Sequence, residues 1–332
     1  MQNNIKFSLV MPLYNSEKWM DKAIGAVLYQ SYPNWELICV DDGSQDETVA
    51  RVESFKENNL KIKLLKQKNS GPAVARETAI NAATGDYIVF LDSDDYIDSE
   101  YLEKINEYTS DYPDVIIPEL MSQTRDSEFY SFNKINNLVK GMTFTGKQAF
   151  RLTFPWSIHG FACYKTELMK QFAIGENANF TNYNADEYIT RVIFLNSQKI
   201  VISDGKYFHT ANFDSLTKIP SVRKLGFLLT EKKLIKLTEL SDPQFLPMVK
   251  SDTLRKIFNS YLNFVLNSKY FTVQEMEQVK FEHEELYKEV VQRSYKYLGA
   301  PRESILKNLI YKMFSYNFNS IKLIILARRL GL

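Results

Sequence analysis

Over its first 91 residues the chain alternates strand-like and helical runs joined by short turns, and no other feature constrains its fold as tightly. Phe7-Ser8-Leu9-Val10-Met11 reads as a buried strand stopped at Pro12, and Asn15-Ser16 can cap a helix carrying Trp19, Ala23, Ile24 and Val27 at helical spacing. Trp35 to Val40 is a second strand, broken at Asp41-Asp42-Gly43, after which Ser44-Gln45-Asp46-Glu47 has capping-box spacing and opens a second helix. Ile62-Lys63-Leu64-Leu65 is a third strand, followed by Asn69-Ser70-Gly71-Pro72 and a helix from Ala73 to Ala83. Asp86 to Leu91 is the fourth. Such repetition requires parallel strands, so the expected class is α/β with a doubly wound, mostly parallel sheet.

In open α/β sheets ligands bind beyond the carboxyl ends of the strands. Three such ends here carry Pro12-Leu13-Tyr14, Asp41-Asp42 and Asp92-Ser93-Asp94-Asp95. The last is an acidic cluster with no basic residue inside it. Carboxylates that close raise one another's pKa, and a bound cation relieves the repulsion; hard oxygen ligands suit Mg²⁺ or Mn²⁺. A solvated turn is the plainer reading of that stretch taken alone. Neither a Gly-x-Gly-x-x-Gly fingerprint nor a Walker loop is present, so phosphates would be held another way.

Lys and Arg number 41 against 40 Asp and Glu, a net charge of +1, which lacks the basic excess of a nucleic-acid protein. The two cysteines, Cys39 and Cys163, have neither disulfide-framework nor zinc-site spacing, which fits a reducing cytoplasm. No apolar run approaches the roughly 20 residues of a membrane span, and no signal-peptide pattern opens the chain.

Ser8-Leu9-Val10-Met11-Pro12-Leu13-Tyr14-Asn15, Val40-Asp41-Asp42-Gly43-Ser44, Asn69-Ser70-Gly71-Pro72-Ala73-Val74-Ala75-Arg76 and Asp92-Ser93-Asp94-Asp95 together resemble the ordered signature of family 2 glycosyltransferases with the GT-A fold. The likeness is close over about the first hundred residues and looser to about residue 217, in this pattern-level sense. It implies a domain at 1–217 that binds a nucleotide-sugar donor, UDP-linked by expectation. Tyr14 and Asp42 would contact the base with Pro12 and Asp41 beside them. Arg76 would lie near the base or diphosphate, Asp92 or Ser93 near the ribose, and Asp94 would ligate the metal.

Residues 121–140 read as a polar loop or hairpin after a strand at Asp114 to Pro118. The aromatic segment Phe154 to Lys165, with Trp156 and His159, either lines the acceptor side, as the resemblance implies, or is a buried strand preceding a helix at Thr166. Asn182 to Thr190 brings the acids Asp186 and Glu187 to a helix start, where an inverting transfer could place its general base. In the family the base is the Asp of a Glu-Asp pair, which maps onto Asp186. Here Ala185 precedes it and Glu187 follows, so both carboxylates remain candidates. Lys199 to Ile202 is a further strand, followed by Tyr207-Phe208-His209-Thr210 and Asp214-Ser215-Leu216-Thr217, which resemble the family's aromatic strand and closing turn. His209 is either a metal ligand or diphosphate contact, or a packed core residue. No Gln-x-x-Arg-Trp motif follows, which favours addition of a single sugar over processive synthesis.

Residues 218–332 read as helical. Leu254, Ile257, Phe258, Tyr261, Leu262 and Val265 share a face, and Thr272-Val273-Gln274-Glu275 opens a charged helix to about Tyr297 in which His283 is expected at the surface. After Pro301 a last helix carries Leu306, Leu309, Ile310, Met313, Phe314, Ile321, Ile324 and Ile325. From Ser304 onward there are five basic residues, Lys307, Lys312, Lys322, Arg328 and Arg329, and no acid. Core packing or a homo-oligomer interface is the first reading of that end, and peripheral docking on an anionic membrane, where lipid-linked glycans are built, is the second. The expected partners are thus a nucleotide-sugar, a glycan, lipid-linked glycan or glycoprotein acceptor, and no nucleic acid. A nucleotidyl or polyol-phosphate transferase and a non-catalytic donor-binding subunit are the rival readings.

Overall fold

A computed structural model describes residues 4–178, 180–181, 183–211, 220–291 and 304–321. The chain divides into two compact units, 1–213 and 214–332.

In the first unit, three βα steps and a fourth strand follow the sequence pattern: β1 Phe7–Leu13, α1 Met20–Leu28, β2 Trp35–Asp41, α2 Thr48–Glu57, β3 Ile62–Lys66, α3 Pro72–Ala82 and β4 Tyr87–Phe90. Then come β5 Tyr96–Ile97, α4 Tyr101–Asn106, β6 Val115–Gln123, β7 Phe129–Ser131, α5 Phe132–Ile135, β8 Thr143–Phe144, α6 Gly146–Leu152, β9 Cys163–Lys165, α7 Thr166–Phe172, α8 Ala185–Leu195 and β10 Ile200–His209. The sheet runs β3-β2-β1-β4-β9-β6-β10-β5, with β7 on β6 and β8 on β10. Its long ladders, β1 with β2 and β4, β2 with β3, and β6 with β10, are parallel. Short β9 runs antiparallel between β4 and β6 and joins the two parallel blocks.

Alternation along β1 shows why helices cover both faces. Phe7, Leu9, Met11 and Leu13 pack with Met20, Ile24 and Val27 of α1, whereas Val10 packs with Ala75, Ala79 and Ile80 of α3. At the opposite end of the strands from the acidic turns, Glu36 is buried and accepts from Ser8 Oγ at 2.6 Å, Lys63 Nζ at 2.8 Å and Thr84 N at 2.8 Å. Burial alone would push this carboxyl up, but the Lys63, Ser8 and Thr84 bonds outweigh it and take its pKa down to about 2.

Several local expectations are corrected. Ser16 and Ser44 do not cap helices: α1 and α2 start after Trp19 and Glu47 with no side-chain cap, and Ser44 Oγ instead accepts from Asn15 N at 3.0 Å. The 121–140 excursion is the β6–β7 hairpin followed by the short helix α5. Of the aromatic segment only Cys163–Lys165 is strand. Both cysteines are buried and unbridged.

The second unit contains α9 Gly226–Ser241, α10 Leu246–Leu266, α11 Val273–Val290 and α12 Ile305–Tyr316. Thr272 and Glu275 form the expected capping box. His283 is not at the surface: it is 0% exposed, with Nδ1 2.6 Å from Val279 O and Nε2 3.0 Å from Ser260 Oγ, and burial pushes its imidazole down to about 4. Its i−4 carbonyl and the facing helix α10 supply partners that a surface reading of its Glu282 and Glu284 neighbours misses. α12 buries Tyr311 and Phe314 while Ile305, Leu306, Leu309, Met313 and Tyr316 are exposed, so Leu306, Leu309 and Met313 are not core positions. Asp214 to Thr217, Tyr297, Pro301, Lys322, Ile324, Ile325, Arg328 and Arg329 lie outside the described residues. Among the described residues no helix is long and apolar enough to cross a membrane.

Candidate active site

The carboxyl ends of β1, β2 and β4 lie side by side because these strands are in parallel register, and each end is held by the next. Asp42 N donates to Leu13 O at 2.8 Å. Asp41, buried, folds back to accept from Gly43 N and Ser44 N, both at 3.2 Å. Asp42, also buried, accepts from Gln67 Nε2 at 2.9 Å, Ser70 N at 2.8 Å and Gly71 N at 2.8 Å. The Asn69–Pro72 loop is therefore strapped to the end of β2. Gly71 must be glycine there, because its φ of 91° lies in the left-handed region and its N–H has to reach Asp42 while Pro72 starts α3. Pro12 sits within β1, and Tyr14 is exposed beyond it, 47% open.

The acidic turn after β4 splits its carboxylates between two tasks. Asp92, partly open, accepts from Arg76 Nη2 at 2.9 Å. Ser93 Oγ donates to Ser16 Oγ at 3.1 Å, linking this turn to the end of β1. Asp95, 1% exposed, accepts from Tyr207 Oη at 2.9 Å and Thr210 N at 2.8 Å and meets His209 Nδ1 at 3.2 Å, while Thr210 Oγ1 donates to Asp94 O. The bond to Asp95 raises the His209 pKa, against its desolvation. Asp94 and His209 are thus brought to one edge, with Asp95 between the two backbones. Among the described residues no group of three or more His, Cys, Asp or Glu side chains could by itself hold a metal ion.

Next to this edge opens a cavity of about 340 Å³. Arg76, Asp92, Asp186, Glu187, Trp156 and His159 line it, with a largely apolar remainder including Ile80, Phe90, Met169 and Ile189. A smaller recess of about 90 Å³ shares Arg76 and Asp186 with it and is bordered by the Ser70–Val74 segment. Asp186, in the first turn of α8, is open to this space. Desolvation by the surrounding protein raises its pKa, Arg76 pulling the other way and Glu187 and Asp92 adding to the rise. Desolvation works against the Arg76 charge, and Asp92 and Asp186 more than restore it. Glu187 accepts from Arg191 Nη1 at 2.9 Å. His159 is 4% exposed, its Nε2 3.1 Å from both Pro118 O and Asn133 Oδ1, and burial pushes its pKa down to about 4, so it meets the cavity as a neutral wall residue. The sequence reading missed Arg191, Tyr207 and the burial of Asp95. The i,i+4 spacing of Glu187 and Arg191 was the one local signal.

A family model described as glycosyl transferase family 2 matches residues 8–172, which hold the strand ends, the acidic turn and Trp156. The chain belongs to glycosyltransferase family 2. Glycosyltransferase GlyA of Streptococcus pneumoniae is 26% identical over 238 residues, 64% of this chain and 32% of GlyA. TarS of Staphylococcus aureus, named as a poly(ribitol-phosphate) beta-N-acetylglucosaminyltransferase, is 29% identical over 210 residues, 62% of this chain and 35% of TarS. This family 2 chain spans about a third of the length of these two curated relatives. The crystal structure of S. aureus TarS 1-349 in complex with UDP-GlcNAc is similar with a TM-score of 0.75 at 20% identity, over 98% of this chain and 92% of that one. That likeness establishes a GT-A fold.

Proposed function

We propose that this family 2 enzyme transfers one sugar, with inversion, from a UDP-sugar to a hydroxyl of a glycan acceptor, free, lipid-linked or on a glycoprotein. The observation that carries the reading is one cavity lined both by the Arg76–Asp92 pair at the end of β4 and by Asp186 at the start of α8. The UDP in the TarS complexes supports the donor class. Tyr14, with Pro12, Asp41 and Asp42 behind it, receives the base; Asp42 does so chiefly by fixing the Ser70–Gly71 loop. Arg76 faces the diphosphate, and Asp92 and Ser93 the ribose. An acceptor oxygen attacks the anomeric carbon, the bond from that carbon to the diphosphate oxygen breaks, and the hydroxyl proton passes to Asp186, whose raised pKa strengthens it as a base.

A divalent cation fits the residues present. Mg²⁺ and Mn²⁺ are commonly held by one or two carboxylates completed by substrate phosphates, which Asp94 supplies without a full protein cage. His209 has its Nδ1 on Asp95, a contact of the kind that orients a ligating imidazole. When bound, such an ion would neutralise charge on the departing diphosphate.

The exposed apolar face of α12, with the basic excess from Ser304 onward, fits an anionic membrane surface on the cytoplasmic side, where a lipid-linked acceptor would be presented. The test of the activity is a UDP-release assay over a panel of UDP-sugars, with Mn²⁺ or with chelator. One donor turned over in a Mn²⁺-dependent manner is expected; release of pyrophosphate or CMP in place of UDP would contradict the reading.

A further inference from the structure

Among the described residues Arg191 is the largest fully buried side chain, and its guanidinium donates four hydrogen bonds and lies against two aromatic rings. Nε donates to Thr153 Oγ1 at 2.9 Å and Nη2 to Thr153 O at 3.1 Å. Nη1 donates to Glu187 Oε2 at 2.9 Å and to Glu187 O at 3.2 Å. Its Cζ lies 4.2 Å from the Trp156 ring centre and 4.5 Å from that of Phe154. Thr153 in turn donates to Phe150 O at 2.7 Å, which ties the assembly to α6.

Burying a guanidinium is costly, and Val192, Ile193 and Phe194 beside it on α8 show that an apolar side chain would satisfy packing alone. What the guanidinium adds is connection. The two groups it grips, Glu187 and Trp156, both line the cavity next to Asp186, and they come from segments some 30 residues apart in sequence. A planar fork stacked on aromatics can fix a carboxylate and a ring together, which the ammonium of Lys cannot do.

We propose that Arg191 is the positioning residue of the acceptor side: it holds Glu187 as a paired carboxylate and Trp156 as a fixed platform for the acceptor sugar, leaving proton transfer to Asp186 alone. This rests on the glycosyl-transfer reading and resolves the choice between the two adjacent acids. Asp186 faces Arg76 from α3, Asp92 from the end of β4 and Glu187 on its own helix; the contact with Arg191 at 2.9 Å turns the Glu187 carboxylate to the guanidinium, which supports Asp186 as the base.

The experiment compares wild type with Arg191→Met, Arg191→Lys, Glu187→Gln, Trp156→Phe and Asp186→Asn. UDP affinity is measured by calorimetry, and transfer is measured to the methyl glycoside most active in a panel. Because Arg191→Met strips charge from a buried cluster and can unfold the protein, Glu187→Gln and Trp156→Phe, which leave the guanidinium in place, carry the test equally. UDP affinity is expected to stay within about twofold throughout. Arg191→Met and Glu187→Gln raise the acceptor KM about tenfold with a smaller fall in kcat, Arg191→Lys and Trp156→Phe are intermediate, and Asp186→Asn loses kcat with little change in KM. Glu187→Gln as inactive as Asp186→Asn, or an unchanged acceptor KM across the Arg191, Glu187 and Trp156 variants, would overturn the proposal while the transfer reading stands. Full turnover by Asp186→Asn would instead overturn the reading beneath it.

Discussion

Asp92 and Asp95 stand three residues apart, yet one opens on the cavity and pairs with Arg76 while the other is enclosed by Tyr207, His209 and Thr210. The sequence marks all the acids of this turn alike, because what separates them is β10, a strand more than a hundred residues away. Asp42 is similar: its acidic character is legible, its engagement with Ser70, Gly71 and Gln67 is not. Asp186 stood out by its place at a helix start and by the family resemblance, whereas the burial of Arg191 depends on Thr153, Phe154 and Trp156, which no local pattern around it reveals. The residue whose role is most exposed to test is Asp94. Asp94→Ala is expected to lower Mn²⁺-stimulated UDP release about 100-fold, read as the ratio of rates with Mn²⁺ and with chelator; an unchanged ratio would remove Asp94 as a ligand.

Among elements, β1 to β4 and their helices were legible because short apolar runs, buried on both faces, end at turn residues and alternate with helical segments. Antiparallel β9 was not, because three residues carry no readable period and its pairing with β4 and β6 is entirely long-range. The helix starts were misplaced for a related reason. Ser16 and Ser44 have capping chemistry but are spent on the loops between strand and helix. Glu36 joins β1, β2, β3 and the turn before β4 through Ser8, Lys63 and Thr84. Since its pKa falls from the usual 4.5 to about 2 in the folded chain, unfolding takes up a proton between those values. Its contribution is full above about pH 4.5 and is lost as pH falls toward 2. Glu36→Gln should therefore lower the thermal midpoint at pH 7, by a loss of about 1–3 kcal/mol, and flatten its dependence on pH in that acid window.

Over the whole chain, composition excluded much and specified little: a net charge of +1 hides the contrast between an acidic strand-end cluster and a basic end. The exposed apolar face of α12 became visible only once Tyr311 and Phe314 were seen to take the buried side. Replacing Leu306, Leu309 and Met313 by Glu should abolish flotation with anionic vesicles and leave the circular dichroism unchanged; equal flotation of variant and wild type would rule out this face as the membrane contact. The central claim, that a base on α8 acts across the cavity from the donor site, is tested most directly by the rate of UDP release from the preferred donor in Asp186→Asn. A fall of about 100-fold or more with UDP binding retained is the predicted result, and release at the wild-type rate would contradict it.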